Sequence, residues 1–190
     1  MLRVAITGNI ASGKSEVQKI LEEKGYKVLD TDILGHAILR SNPDIRSAFS
    51  SYDVFNPDGT ISREKLGKLV FSDNILKNKL ESISHPVIRK NISEFFRENG
   101  MEQFVFVAIP LLYEANMEDM FDKVILVYAD DSVREDRLIA RNNYSKEYAN
   151  QRINSQMQQE EKIKMADFVI NNNGDISNIR NQVEDLLLVL

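Results

Sequence analysis

Eight consecutive residues near the amino terminus, Gly8, Asn9, Ile10, Ala11, Ser12, Gly13, Lys14 and Ser15, satisfy the pattern Gly-x-x-x-x-Gly-Lys-Ser. Their types suit a phosphate chain. The glycines let the backbone curl so that successive N–H groups turn inward around phosphate oxygens. Lys14 would reach the β- and γ-phosphates, and the Ser15 hydroxyl could ligate Mg²⁺. The implied ligand is a nucleoside triphosphate. If the glycines served only a turn, Lys14 would stand in the first helical turn against the helix dipole, a placement that needs an anion to explain it. Asn9 and Ala11 occupy positions where many such loops carry further glycine, so the backbone has less freedom here.

Other groups able to do chemistry follow along the chain. Asp30 and Asp32 close the run Leu29-Asp30-Thr31-Asp32. If the backbone stays extended through Asp32, both carboxylates share a side, where they could hold hydrated Mg²⁺ or act as general base for an attacking hydroxyl. Either could instead only cap the next helix. Glu114 ends Pro110-Leu111-Leu112-Tyr113-Glu114, where it could orient metal-bound water or substrate, or stand solvated or as a cap. Arg134, Arg137 and Arg141 recur at helical spacing, which lines three guanidinium groups along one side of a helix. Such a row could bind phosphate oxygens and stabilise charge in a phosphoryl-transfer transition state, or could form a salt-bridged surface with the neighbouring acids. His85-Pro86 with Arg89 reads as a helix start and an ordinary arginine on pattern alone.

The elements that must position these groups are legible from hydrophobic pattern. Leu2–Thr7, Tyr26–Asp30, Phe104–Ile109, Lys123–Tyr128 and Phe168–Asn171 are short, β-branched and mostly continuous in apolar character, with helical patterns between them. That alternation predicts a five-stranded parallel sheet covered on both faces. The phosphate pattern joins the first strand to a helix. Residues 32–100 carry helical stretches without a good strand: Asn42 caps a helix with Pro43 at its first position, and Ser62 caps another after the turn Asn56-Pro57-Asp58-Gly59. Ile75, Leu76, Leu80 and Ile83, then Val87, Ile88, Ile92, Phe95 and Phe96, continue at helical spacing. This region reads as a helical insertion beside the carboxyl edge of the sheet. The polar stretch 145–164 suits a mobile lid that excludes water. A closing helix is expected over 176–190.

Composition narrows the classes. The chain has 190 residues, enough for one domain with an insertion, and a net charge of −5 with acids and bases interspersed, which argues against broad nucleic-acid or anionic-membrane binding. There is no cysteine, and His36 and His85 are the only histidines, too few for a multi-histidine zinc site. No run approaches the roughly 20 apolar residues of a membrane span. The amino terminus reads as lacking a signal peptide, so a cytoplasmic location is the default expectation.

Together the motifs resemble the dephospho-coenzyme A kinase family. The resemblance rests on Ile6 through Ser15, Leu29 to Asp32, His85-Pro86-Val87-Ile88-Arg89, Pro110 to Glu114, the pair Arg137 and Arg141, and Ala166 to Ile170 followed by Asn172 and Gly174. It implies an α/β P-loop kinase spanning 1–190: a five-stranded parallel sheet flanked by helices, a coenzyme-A-binding helical region over about 32–100 and a lid over about 130–164. The implied reaction is ATP- and Mg²⁺-dependent phosphorylation of the ribose 3′-hydroxyl of dephospho-coenzyme A. By that resemblance Asp32 is the base, Lys14, Arg137 and Arg141 serve catalysis, Ser15 and Asp32 serve the metal, and Asn172 lies near the adenine. Asp30, His85, Arg89 and Glu114 stand on the substrate side. The chain departs from the family pattern at Gly35-His36, where Ala-Arg is frequent, and at Arg134, where Gln is frequent. A nucleoside monophosphate or other small-molecule kinase, and a nucleotide-dependent switch, are the competing readings.

Overall fold

The computed structural model describes residues 1–190. In chain order the elements are β1 (Leu2–Thr7), α1 (Lys14–Glu23), β2 (Lys27–Asp30), α2 (Thr31–Ser41), α3 (Pro43–Ala48), α4 (Arg63–Ser72), α5 (Asn74–Glu98), β3 (Phe104–Ala108), β4 (Lys123–Tyr128), α6 (Asp131–Asn142), α7 (Lys146–Asn154), α8 (Gln159–Met165), β5 (Phe168–Asn171) and α9 (Ile176–Val189). They form two compact units, Met1–Asp30 with Phe96–Leu190, and Thr31–Phe95.

In the first unit five parallel strands run in the order β2-β3-β1-β4-β5. Central strands read as continuous apolar runs because both faces are covered: every residue of β3, Phe104-Val105-Phe106-Val107-Ala108, is buried. Val4, Ile6, Phe106, Ile125 and Val127 pack with Val17, Ile20 and Leu21 of α1 and with Ile179, Val183 and Leu186 of α9. Each such side chain contributes about 1.5–3 kcal/mol relative to exposure. The register aligns Thr7 with Leu126, Asp30 with Ala108, and Tyr128 with Asn171. The loop after β1, Asp30, the segment after β3 and Asn172 therefore leave the sheet at one edge, where open parallel sheets bind ligands.

The second unit is built on a separate core of Ile38, Ile45, Phe49, Val54, Ile61, Leu66 and Leu76. Asn42 caps α3 by accepting from the N–H groups of Asp44 and Ile45 at 2.9 and 3.1 Å, and Ser62 caps α4 through Lys65 N–H, as their types foretell. No helix is long and apolar enough to cross a membrane.

Two local expectations are corrected. The backbone does not stay extended through Asp32: β2 ends at Asp30 and α2 begins at Thr31, so Asp30 closes a strand while Asp32 lies in a first helical turn, where its negative charge suits the dipole. Nor does His85-Pro86 start a helix. Both lie inside the 25-residue α5. Pro86 forfeits the hydrogen bond to the Ser82 carbonyl, at about 3 kcal/mol for an interior proline. Leu76, Leu80, Ile83, Val87 and Ile88 nevertheless pack onto one core on both sides of the proline, and their burial outweighs that loss.

Candidate phosphate-binding and catalytic site

Between β1 and α1 the chain turns back on itself: Ser12 N–H donates to the Asn9 carbonyl at 3.0 Å, and Glu16 N–H to the Gly13 carbonyl at 2.9 Å. Two glycines are required sterically. A Cβ on Gly8 would lie 2.5 Å from Ser12 Oγ and 2.7 Å from the Val127 carbonyl oxygen; one on Gly13, whose φ is +95°, would lie 1.8 Å from Asn172 Nδ2. Ala11 also has a positive φ, +61°, an uncommon conformation for a residue with a Cβ and a local strain of about 1–2 kcal/mol. Strain of this kind persists only where surrounding contacts over-determine it.

Those contacts come from three segments. Arg137 of α6 donates through Nη1 to the carbonyls of Ala11 and Ser12 at 3.3 and 3.4 Å, and through Nη2 to the Asn172 carbonyl at 2.8 Å and its Oδ1 at 3.3 Å. Buried Asn172, just past β5, donates from Nδ2 to the Ser12 carbonyl at 2.7 Å. From the segment between α7 and α8, Gln156 Oε1 accepts from Ile10 N–H at 2.7 Å, and the Met157 carbonyl accepts from Asn9 Nδ2 at 2.8 Å. Ile10 and Ala11 further pack against Leu138, Ala149 and Ile153 of α6 and α7. The loop is thus shaped in advance, and Lys14 and Ser15 open α1 beyond it.

The three arginines share one side of α6 but not one environment. Arg134 is only 2% exposed and donates to Asp131 Oδ1 at 2.5 Å, leaving Nε and Nη1 without hydrogen-bond partners. Arg137 is engaged with the loop, and Arg141, exposed near the end of α6, donates only to the adjacent Asn142 Oδ1 at 2.9 Å. Their spacing is helical as expected; their surroundings differ because α7 and α8 cover part of that face. Gln159 of α8 shares Asp131 Oδ1 with Arg134, at 3.2 Å, and reaches the Ala129 carbonyl at 2.9 Å.

Glu114 is neither solvated nor a helix cap. Its Oε1 accepts from Lys162 Nζ at 2.8 Å and from Met157 N–H at 3.3 Å. Lys162 is fully buried. Sequence reading missed Gln156, Met157, Gln159 and Lys162, because the stretch Ser155–Lys164 is mostly polar, with Met157 and Ile163 its only apolar residues, and a lysine there reads as solvated. The helix before it does carry a usable signal, Ser145 ahead of Lys146–Asn154, where the hydroxyl accepts from Tyr148 N–H.

In the second unit, Asp32 is exposed on α2, and Gly35 and His36 lie in the same helix. His85 and Arg89 are one turn apart on α5 and partly buried. Burial lowers the His85 pKa; Glu81 opposes this, while Arg89 and Lys77 add to it. In the first unit burial pushes the Tyr113 hydroxyl up to about 12, with Asp167 and Glu118 adding to the effect.

The CoaE dephospho-CoA kinase family model matches residues 2–178. Dephospho-CoA kinase of Listeria innocua is 38% identical over 186 residues, covering 95% of this chain and 92% of that protein. Among solved structures, TT1252 of Thermus thermophilus has a TM-score of 0.85 at 35% identity, over 100% of this chain and 97% of that one. Dephospho-CoA kinase of Campylobacter jejuni has a TM-score of 0.74 at 32% identity, over 98% and 95%. Likeness at this level runs through the phosphate loop, the sheet and the helical unit alike, and the chain belongs to the dephospho-CoA kinase family.

Proposed function

We propose that this protein transfers the γ-phosphoryl group of ATP to the 3′-hydroxyl of the adenosine ribose of dephospho-coenzyme A, giving coenzyme A and ADP as the last step of coenzyme A synthesis. The observation that carries this reading is kinship along nearly the whole chain with proteins of that name. The shaped loop supports its nucleotide half.

Phosphoryl transfer asks little covalent chemistry of a protein and much positioning. The loop Gly8–Ser15 presents backbone N–H groups and the α1 dipole to the phosphates, and Lys14 adds a point charge. Arg137 holds the loop's carbonyls outward in the ground state, and Arg141, free of acidic partners, meets the transferring group. Asp32, two residues beyond β2, orients the acceptor hydroxyl and takes its proton. Asp30 and, in the second unit, His85 and Arg89 serve the acceptor, the latter pair from one face of α5. Burial lowers the His85 pKa, which favours the neutral imidazole in the protein without substrate. The region around residues 32–100 binds the acceptor, and 130–164 covers the nucleotide.

The donor set fits Mg²⁺. Mg²⁺ prefers one or two protein oxygens, water and substrate phosphates, and the Ser15 hydroxyl, in the first turn of α1 directly after the loop, is such an oxygen. Ser15 and Asp32 would hold it. When bound it neutralises charge on the β- and γ-oxygens. A cytoplasmic location belongs to the same reading, because ATP and the proposed acceptor are both soluble small molecules.

A coupled assay of ATP consumption against a panel of acceptors tests the reading. Dephospho-coenzyme A should drive turnover far above every other alcohol; turnover without any acceptor would instead favour a nucleotide-dependent switch.

A further inference from the structure

We infer that Lys162 and Glu114 are a positioning pair that fixes the phosphate loop for ATP, an inference that rests on the kinase reading above. Lys162 Nζ is fully buried, and its single hydrogen bond goes to Glu114 Oε1 at 2.8 Å. Taking an ammonium and a carboxylate out of water costs several kcal/mol per ion, and apolar side chains of similar size often serve packing as well or better. Packing alone therefore does not explain a buried lysine here.

The contacts of Glu114 supply a reason. The oxygen that meets Lys162 also accepts from Met157 N–H at 3.3 Å. The carbonyl of the same Met157 accepts from Asn9 Nδ2 at 2.8 Å, and neighbouring Gln156 accepts from Ile10 N–H at 2.7 Å. An unbroken path runs from Lys162 through Glu114 and Met157 to the first half of the phosphate loop. The turn that carries Glu114 is itself tied down: Ala115 N–H donates to the Leu111 carbonyl at 2.9 Å, and Met117 N–H to the Leu112 carbonyl at 3.0 Å. Thr7 Oγ1, at the end of β1, donates to the Pro110 carbonyl at 3.3 Å. Arg137 and Asn172 hold Ala11 and Ser12, the second half, so the loop is gripped in two places and the ion pair sets one of them.

The pair leaves no slack. Glu114 Oε2 is buried without a hydrogen-bond partner, so loss of Lys162 leaves a buried charge with only the Met157 N–H against it. The carboxylate would then turn toward water, drawing residues 156–157 away from Asn9 and Ile10. The consequence falls on ATP rather than on the acceptor, because the path ends at Asn9 and Ile10 of the phosphate loop, and Glu114, which the resemblance set on the substrate side, spends its bonded oxygen on Met157 and Lys162.

The test compares wild type, Lys162→Met, Lys162→Arg, Glu114→Gln and the double variant Lys162→Met/Glu114→Gln. Steady-state rates are measured with each substrate varied, ATP binding by isothermal titration, and thermal unfolding alongside. Lys162→Met should raise KM and Kd for ATP on the order of tenfold to a hundredfold, as small misplacements of a binding element do, with KM for dephospho-coenzyme A nearly unchanged. Lys162→Arg should recover most of the loss. The double variant should be less impaired than the two single effects combined, because it removes the stranded charge. Lower thermal stability with an unaltered Kd for ATP, or a parallel rise in both KM values, overturns the inference. If Lys162→Met does not fold, Lys162→Arg and Glu114→Gln decide by the same ratio. A wild-type protein that binds ATP but does not phosphorylate dephospho-coenzyme A contradicts the kinase reading alone, and the titrations still judge the pair.

Discussion

Arg137 and Asn172, one on α6 and the other just past β5, are joined by the Arg137 Nη2 bond to the Asn172 carbonyl at 2.8 Å, and each also holds the carbonyl of Ser12 in the phosphate loop. Two distant segments thereby converge on one loop residue. A planar guanidinium serves these carbonyls from a rigid fork of five donors, whereas an ammonium offers three donors from one point on a flexible stem and cannot span the same set. Arg137→Lys should therefore weaken ATP binding more than it lowers the maximal rate at saturating ATP. Steady-state kinetics check this. A fall in kcat with ATP affinity intact would place Arg137 on the transferring phosphoryl group instead.

Lys14→Ala should abolish turnover while the protein stays folded. Lys14 opens α1 beside the loop and belongs to no hydrophobic cluster, so the loss is one of charge at the phosphates. Circular dichroism beside a turnover assay decides; near wild-type activity in a folded variant contradicts the loop's role.

Asp32→Asn should lower turnover by roughly 10²–10⁴-fold, the usual effect of losing a positioned base, and leave ATP binding largely intact. Asparagine keeps the shape but cannot take the proton. Titration with a fluorescent ATP analogue beside the rates tests it, and equal losses in binding and rate would assign Asp32 to ground-state metal or nucleotide binding.

His85 makes stability depend on pH. Burial holds its pKa below the ordinary value, against the pull of Glu81 and with the help of Arg89 and Lys77. As pH falls, the unfolded chain takes up this proton first. Stability is unaffected above the ordinary histidine value of about 6.5 and declines as pH drops from there to the lowered native value, below which the loss is constant. Urea unfolding of wild type and His85→Asn from about pH 7.5 to about pH 5 isolates the contribution. Wild type should lose stability relative to the variant across that range, and a difference independent of pH would refute the assignment.

The sheet was legible because five short apolar runs alternate with helical periodicity, and the phosphate loop because its glycines and lysine keep a fixed spacing. Two backbone features were not. The extended reading of Asp30-Thr31-Asp32 failed at Thr31, where the helix begins; aspartate suits a strand end facing a ligand and a helix start equally, so its type could not decide between the two readings. The interior position of Pro86 was hidden because a proline's local cost is visible in sequence, whereas the shared core that offsets it is not. The buried Lys162 was illegible for a similar reason: its partner Glu114 lies 48 positions away, and no local pattern marks a lysine that is paired across such a separation. Arg137 had the right spacing, but which acceptors it meets depends on Asn172 and the loop converging in space.

The central claim, phosphorylation of dephospho-coenzyme A at its ribose 3′-hydroxyl, is tested most directly by mass spectrometry of the products formed with Mg²⁺ and ATP from dephospho-coenzyme A, AMP, CMP and shikimate in parallel. One dominant product, coenzyme A, is expected, formed with stoichiometric ADP, because loosely held alcohols react poorly even in an intact site. Preferential phosphorylation of any other acceptor, or ATP loss indifferent to the acceptor, would contradict it.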